Sequence, residues 1–223
     1  MAIIPRNNLI KAHLELPDTV NETRPYLGMS QIGHDCDRYL YMYYHQMFKE
    51  TISARTSRIF ERGNMEEYRV IRDLTKVPGI EIYGTQTAFV DFNDQFRGHC
   101  DGFIDGVPTA EKTTHVLEIK TMADKYFKQL VKSGIEKSNK SYYIQGQMYM
   151  GYSKCDRILW MVTNKNNEDR HPERGIFNKD IFELYKNRAY TILTMGSIPD
   201  RIGSGPEYYV CRMCSARHEC FNL

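Results

Sequence analysis

With 223 residues the chain can bury a substantial core in one medium-sized domain, so no disulfide framework is required. Lys and Arg number 30 against 28 Asp and Glu, a formal charge of +2, so bulk charge gives no argument for a nucleic-acid partner and any basic surface must come from local clustering. An aromatic content of 12%, with 16 tyrosines, excludes a disordered chain.

In chain order, residues 1–29 hold Pro5, Pro17 and Pro25 and read as an irregular arm, with a single domain over 30–223. The arm lacks the apolar centre of a signal peptide, and no stretch reaches membrane-spanning length. That predicts a cytoplasmic, reducing setting and no membrane partner. The six cysteines there point to metal ligation or buried thiols rather than disulfides. Residues 36–48 predict an aromatic-rich helix and 56–76 a longer amphipathic one. Residues 80–91, 97–105 and 115–121 predict strands, the last two separated by the turn DGVPTAEKTT. Helices over 124–134 and 141–152, a buried strand over 157–164 and a helix over 179–195 follow. The order is that of an α/β fold with helices layered on a mixed sheet.

Side chains alternate faces along a strand, so in VLEIKT the charged pair Glu118 and Lys120 shares one face while Leu117 and Ile119 anchor the other. If the 97–105 strand is a neighbour, Asp101 lies beside Glu118. Two close carboxylates repel unless a cation sits between them, and Mg²⁺ or Mn²⁺ needs only a few hard oxygen ligands, here Asp101, Glu118 and the carbonyl of Ile119. Lys120 beside such an ion can hold a water and offset developing phosphate charge. On the 56–76 helix, the apolar centre of Ile59, Phe60, Val70, Ile71 and Leu74 falls roughly 20° from Glu67 and roughly 80° from Glu66 at 100° per residue. Glu67 is therefore expected to be the inward carboxylate and a further metal ligand. Gln145 and Tyr149, four apart, share a helix face. Lys125, Lys128 and Lys132 form one basic face on the helix after Lys120, a candidate phosphate contact.

Near the C-terminus, Cys211, Cys214 and Cys220 have the spacing C-x₂-C-x₅-C, which points to a metal. Cys36 is the leading fourth ligand, with His218 or His34 suited to zinc, and four thiolates suit an iron–sulfur cluster as well as Zn²⁺.

Taken in order, CDRYLY, RGNMEE, GHCDG, LEIK, QGQMY and CRMCSARHEC resemble the PD-(D/E)XK nuclease superfamily. Within it, they resemble the RecB-like exonucleases that carry an iron–sulfur cluster, including CRISPR-associated adaptation nucleases and phage relatives. The resemblance covers roughly Ser30 to Cys220, with Asp37 in place of the usual proline and Glu67 where many cluster-bearing members have histidine. It implies a restriction-endonuclease-like core with a mixed central sheet flanked by helices, closed by a cysteine-ligated cluster joining the N-terminal region to the tail. It implies a metal-dependent deoxyribonuclease, an exonuclease, acting on single- or double-stranded DNA ends. Asp101 and Glu118 would bind Mg²⁺ or Mn²⁺, Lys120 would be catalytic, and Gln145 and Tyr149 would support the substrate. Cys36, Cys211, Cys214 and Cys220 would ligate a [4Fe-4S] cluster. Helicase, recombination, repair or CRISPR adaptation partners, and an oligomer, are all compatible with it.

Overall fold

The computed structural model describes residues 18–222. The expected arm lies outside these residues up to position 17; beyond it the chain is more regular than expected. Strand β1 (Thr19–Glu22) pairs antiparallel with β3 (Lys49–Ile52), and β2 (Leu27–Gly28) pairs parallel with β6 (Phe96–Cys100). Between them stands helix α1 (Asp37–Tyr44), started by Cys36, whose sulfur accepts from the Tyr39 amide at 3.4 Å. Helix α2 (Ala54–Leu74) begins two residues before the periodic pattern because the Ser53 hydroxyl caps it, accepting from the Thr56 amide.

The segment 80–91 is two strands, β4 (Glu81–Tyr83) and β5 (Thr87–Asp91), broken where Gly84 and Gln86 take positive φ. The segment 97–105 is likewise split, by a bend at Asp101 between β6 and β7 (Gly102–Asp105). Then come β8 (His115–Met122), α3 (Asp124–Ser133), α4 (Ile135–Ser138), α5 (Lys140–Ser153), β9 (Arg157–Asn164), β10 (Arg170–Ile176), α6 (Lys179–Thr194) and α7 (Arg217–Asn222). Sequence pattern misses β10 because Pro172 and Gly175 interrupt it. It occupies the sheet edge, where a missing N–H costs no interior ladder bond.

The central sheet has the order β10-β9-β8-β7-β4, with β8 and β9 parallel and the other pairs antiparallel. A second sheet, β2-β6-β5, flanks it. The parallel β8–β9 pair needs a long crossover, and α3, α4 and α5 supply it. On one face Val116, Ile158, Trp160 and Val162 pack with Ile144 and Met148 of α5 and Phe182, Ala189 and Ile192 of α6. On the other, Leu117, Ile119, Leu159 and Met161 pack with Val70 of α2. Each such burial stabilises by about 1.5–3 kcal/mol, which leaves the position of β8 no slack between two packed layers. At Gly146 an added Cβ would stand 2.4 Å from the Trp160 ring, so α5 reaches the sheet only because that position has no side chain. No described helix is long and apolar enough to cross a membrane.

Candidate functional site

The alternation along β8 decides where the charges go. Leu117 and Ile119 are held in the core beneath α2, so Glu118 and Lys120 must emerge on the α5 face. The β7–β8 register pairs Gly102 with Leu117, which brings Asp101, at the preceding bend, alongside Glu118. Asp101 is fixed there: its Oδ2 accepts from the Ile119 amide at 2.6 Å, and the Gln86 side chain also hydrogen-bonds it. Ile119 thus meets the site through its backbone, its side chain belonging to the core.

Asp101, Glu118, Lys120, Glu67, Gln145 and Tyr149 all line one open cleft of about 780 Å³. Glu118 is fully buried; one oxygen pairs with the Lys120 ammonium, and Oε2 has no hydrogen-bond partner. Burial pushes its carboxyl up to about 8, with Lys120 opposing and Asp101 adding to the rise. Burial also lifts Glu67, to about 7, reinforced by Asp101. Asp101 is raised by burial against the pull of Lys120. Burial would lower Lys120, but the Glu118 and Asp101 carboxylates outweigh it and keep the ammonium charged, 5.2 Å from the Tyr142 ring centroid. Three carboxyls that hold protons above their ordinary range, next to an unpartnered buried oxygen, form a site short of positive charge. On α5 the Gln145 amide donates to the Tyr149 hydroxyl at 3.0 Å. Gly98 lets this helix close on the cleft, because a Cβ there would lie 2.7 Å from the Tyr149 ring.

One expectation needs correction. The buried carboxylate of α2 is Glu66, not Glu67. Glu66 is 4% exposed and bonded to Thr163, Arg170 and Arg69, while Glu67 faces the cleft and accepts from Gln86 at 3.4 Å. The helical count is misled by Ile59 and Phe60, which are 38% and 55% exposed and do not belong to the core face. Lys125, Lys128 and Lys132 do not line the cleft. Lys128 pairs with Asp124 at 2.8 Å and Lys125 lies over the Tyr126 ring. Besides Lys120, the cleft is lined by the cations Arg24 and Arg97, whose guanidinium carbons lie 5.7 and 4.8 Å from the Tyr26 ring centroid. Sequence reasoning missed them and Gln86, because they sit on short strands and turns that only the folded chain brings together.

The four cysteines Cys36, Cys211, Cys214 and Cys220 are free and line one small cavity of about 20 Å³, room for about one water-sized sphere. Burial raises the Cys211 and Cys214 thiols, and the other sulfurs of the group add to it. Neither His34 nor His218 lines this cavity; His34 stacks on Tyr39 and its Nδ1 accepts from the Cys36 amide at 3.1 Å. Among the described residues no three His, Cys, Asp or Glu side chains form a ready-made metal-holding group. The joined cluster expected from sequence is therefore reduced to a coarser finding, four thiols around one cavity.

No family profile matches the chain, and comparison with curated proteins gave no match. Solved structures do resemble it. An alkaline exonuclease from Laribacter hongkongensis, LHK-Exo, superposes with a TM-score of 0.54 at 14% identity, over 75% of this chain and 86% of the other. The same enzyme in complex with dAMP gives 0.53 at 15%, with the same coverage. The structure of SSO0001 gives 0.51 at 12%, over 96% of this chain and 93% of that one. The chain therefore shares the mixed α/β fold of these solved structures.

Proposed function

We propose that this protein is a DNA nuclease, an exonuclease, that hydrolyses phosphodiester bonds with Mg²⁺ or Mn²⁺ held by Asp101 and Glu118. The observation that carries the reading is the unpartnered, buried Oε2 of Glu118 beside Asp101 in an open cleft. Such an oxygen is costly without a proton, a hydrogen bond or a cation. Mg²⁺ keeps several waters and is satisfied by one or two carboxylates, so Asp101 and Glu118 suffice to hold it. When bound, the ion supplies Lewis acidity towards the phosphate. Glu67 is near enough to feel the charge of Asp101 and completes the acidic side of the cleft. Lys120 is the present counter-ion of Glu118; a cation at Glu118 frees the ammonium to offset charge on the phosphate. Gln145 and Tyr149 form a hydrogen-bonded pair that orients substrate, and Arg24 and Arg97 give the DNA backbone a cationic approach. The test is end-labelled DNA incubated with Mg²⁺ or Mn²⁺. Cleavage is expected with either ion and not with chelator, and it is expected to fall by about 10²–10³-fold or more in Asp101→Asn. Cleavage at the parent rate in that variant sinks the reading.

For the second site, we infer that Cys36, Cys211, Cys214 and Cys220 together bind a metal. Four thiols facing one cavity repel one another as thiolates and suit either Zn²⁺ or an iron–sulfur cluster. Metal and sulfide analysis of anaerobically purified protein separates the two. Protein carrying neither zinc nor iron rejects the site.

A further inference from the structure

Helix α2 has two differently furnished sides. Phe60, Asn64 and Glu67 line the catalytic cleft. Arg55, Arg58 and Arg62 line a separate hollow of about 360 Å³, together with Thr121, Lys165 and Asn166. At 100° per residue, Phe60 and Asn64 project within about 20° and 60° of Glu67, whereas Arg55, Arg62 and Arg58 lie about 120°, 140° and 180° away. The hollow is thus on the far side of the helix from the cleft, and both open beside β8, which contributes Lys120 to one and Thr121 to the other.

Its charge is nearly all of one sign. Arg62 is held by the Lys165 carbonyl at 2.7 Å and paired with Glu168 at 2.8 Å. Arg55, Arg58 and the Lys165 ammonium have no ion pair or hydrogen bond among the described residues. Arg58 and Lys165 are also half-buried, so their stems are held against the hollow. Asp124, the nearby acid, is engaged by Lys128 and by the Asn164 amide. Three unmatched cations around a hollow of this size call for an anion.

The rise of a helix puts Arg58 about 13–14 Å from Glu67 along α2. With their opposite placement on a helix about 10 Å thick, the two sites stand roughly 17 Å apart, on the scale of two backbones facing each other across a DNA major groove roughly 12 Å wide. One strand cannot lie in the cleft and also occupy the hollow without turning round a helix about 10 Å thick. We propose that this hollow is a second phosphate-backbone site, which takes the strand that is not cut and makes duplex DNA the substrate. The proposal names the substrate class of the nuclease reading and rests on it.

The test compares the parent protein with Arg55→Ala/Arg58→Ala on duplex DNA and on the same labelled strand alone. Equilibrium binding is followed in chelator over a salt series, and cleavage is followed in Mg²⁺. Two phosphate contacts at about 0.9 each predict that the duplex log K against log salt slope falls by nearly 2. The single-strand slope and single-strand cleavage should stay at the wild-type level. Arg55→Lys/Arg58→Lys should restore the duplex slope, which separates loss of charge from loss of fold. An unchanged duplex slope, or an equal loss on both substrates, overturns the proposal. A wild-type protein that binds duplex with the expected slope but cuts nothing overturns the nuclease reading instead and leaves the hollow as a binding site.

Discussion

The cleft gathers carboxyls and the cysteine cavity gathers thiols, but the two are built in opposite ways. The cleft residues Asp101, Glu118 and Lys120 come from two adjoining strands separated by a short turn, and the layers on both sides of β8 lock them in place. The cysteine site joins residue 36 to residues 211–220, and its lining comes from α1, the tail and α7 rather than from the central sheet. A charged site on a rigid sheet can stay partly unsatisfied at the expense of stability. On the proposed reading, a metal held by the four thiols would tie residue 36 to the distant tail and so contribute to folding. Function should therefore be lost without unfolding at the cleft, and folding lost with the metal at the cysteines.

That contrast can be broken by experiment. Asp101→Asn is expected to reduce cleavage by about 10²–10³-fold or more, the cost of removing one electrostatic element from a site. The melting temperature should hold or rise, since a buried charge is removed. A matching fall in melting temperature would make Asp101 structural. Cys214→Ala is expected to do the reverse. It should lower the melting temperature by about 5 °C or more, corresponding to roughly 2 kcal/mol in a chain of this size. Metal content should fall with it, while the folded fraction keeps its catalytic rate. A variant that melts like the parent would show the cavity to be energetically idle.

A third prediction uses pH. Glu67 and Glu118 hold protons to about 7 and about 8, against 4.5 ordinarily. Between these values the folded state binds more protons than the unfolded one, so stability falls as pH rises. Without divalent metal, the melting temperature should decline from about pH 5 to pH 8. Glu118→Gln should flatten much of that decline, and Mg²⁺ should reverse it in the parent by replacing the protons. A melting temperature that climbs with pH over this range would mean that the carboxylates are satisfied internally. The smallest effect concerns the approach path. Replacing Arg24 and Arg97 should lower the salt slope of DNA binding by about 1 each. Replacing Lys125, Lys128 and Lys132 should change it less, because those lysines lie away from the cleft. The opposite ranking would restore the α3 face as the DNA contact.

Much of the cleft was legible in one dimension because strand geometry is local. A period of two suffices to put Glu118 with Lys120 and against Leu117 and Ile119, whatever surrounds them. The spacing of Gln145 and Tyr149 and of the three tail cysteines is equally local, as are the long helices and the buried strand 157–164. Other choices needed the folded chain. Which glutamate of α2 turns inward depends on which apolar residues find a partner, and Ile59 and Phe60 find none in the core. Edge strand β10 exists only because β9 offers it a ladder. The bend at Asp101, the Gln86 bridge, the Arg24–Tyr26–Arg97 stack and the approach of Cys36 to the tail join residues far apart in the chain or held in turns. The sequence by itself determined what lies along each element, since covalent geometry repeats every two or 3.6 residues. Only the tertiary structure decided what faces what, because burial and charge pairing are properties of neighbours in space.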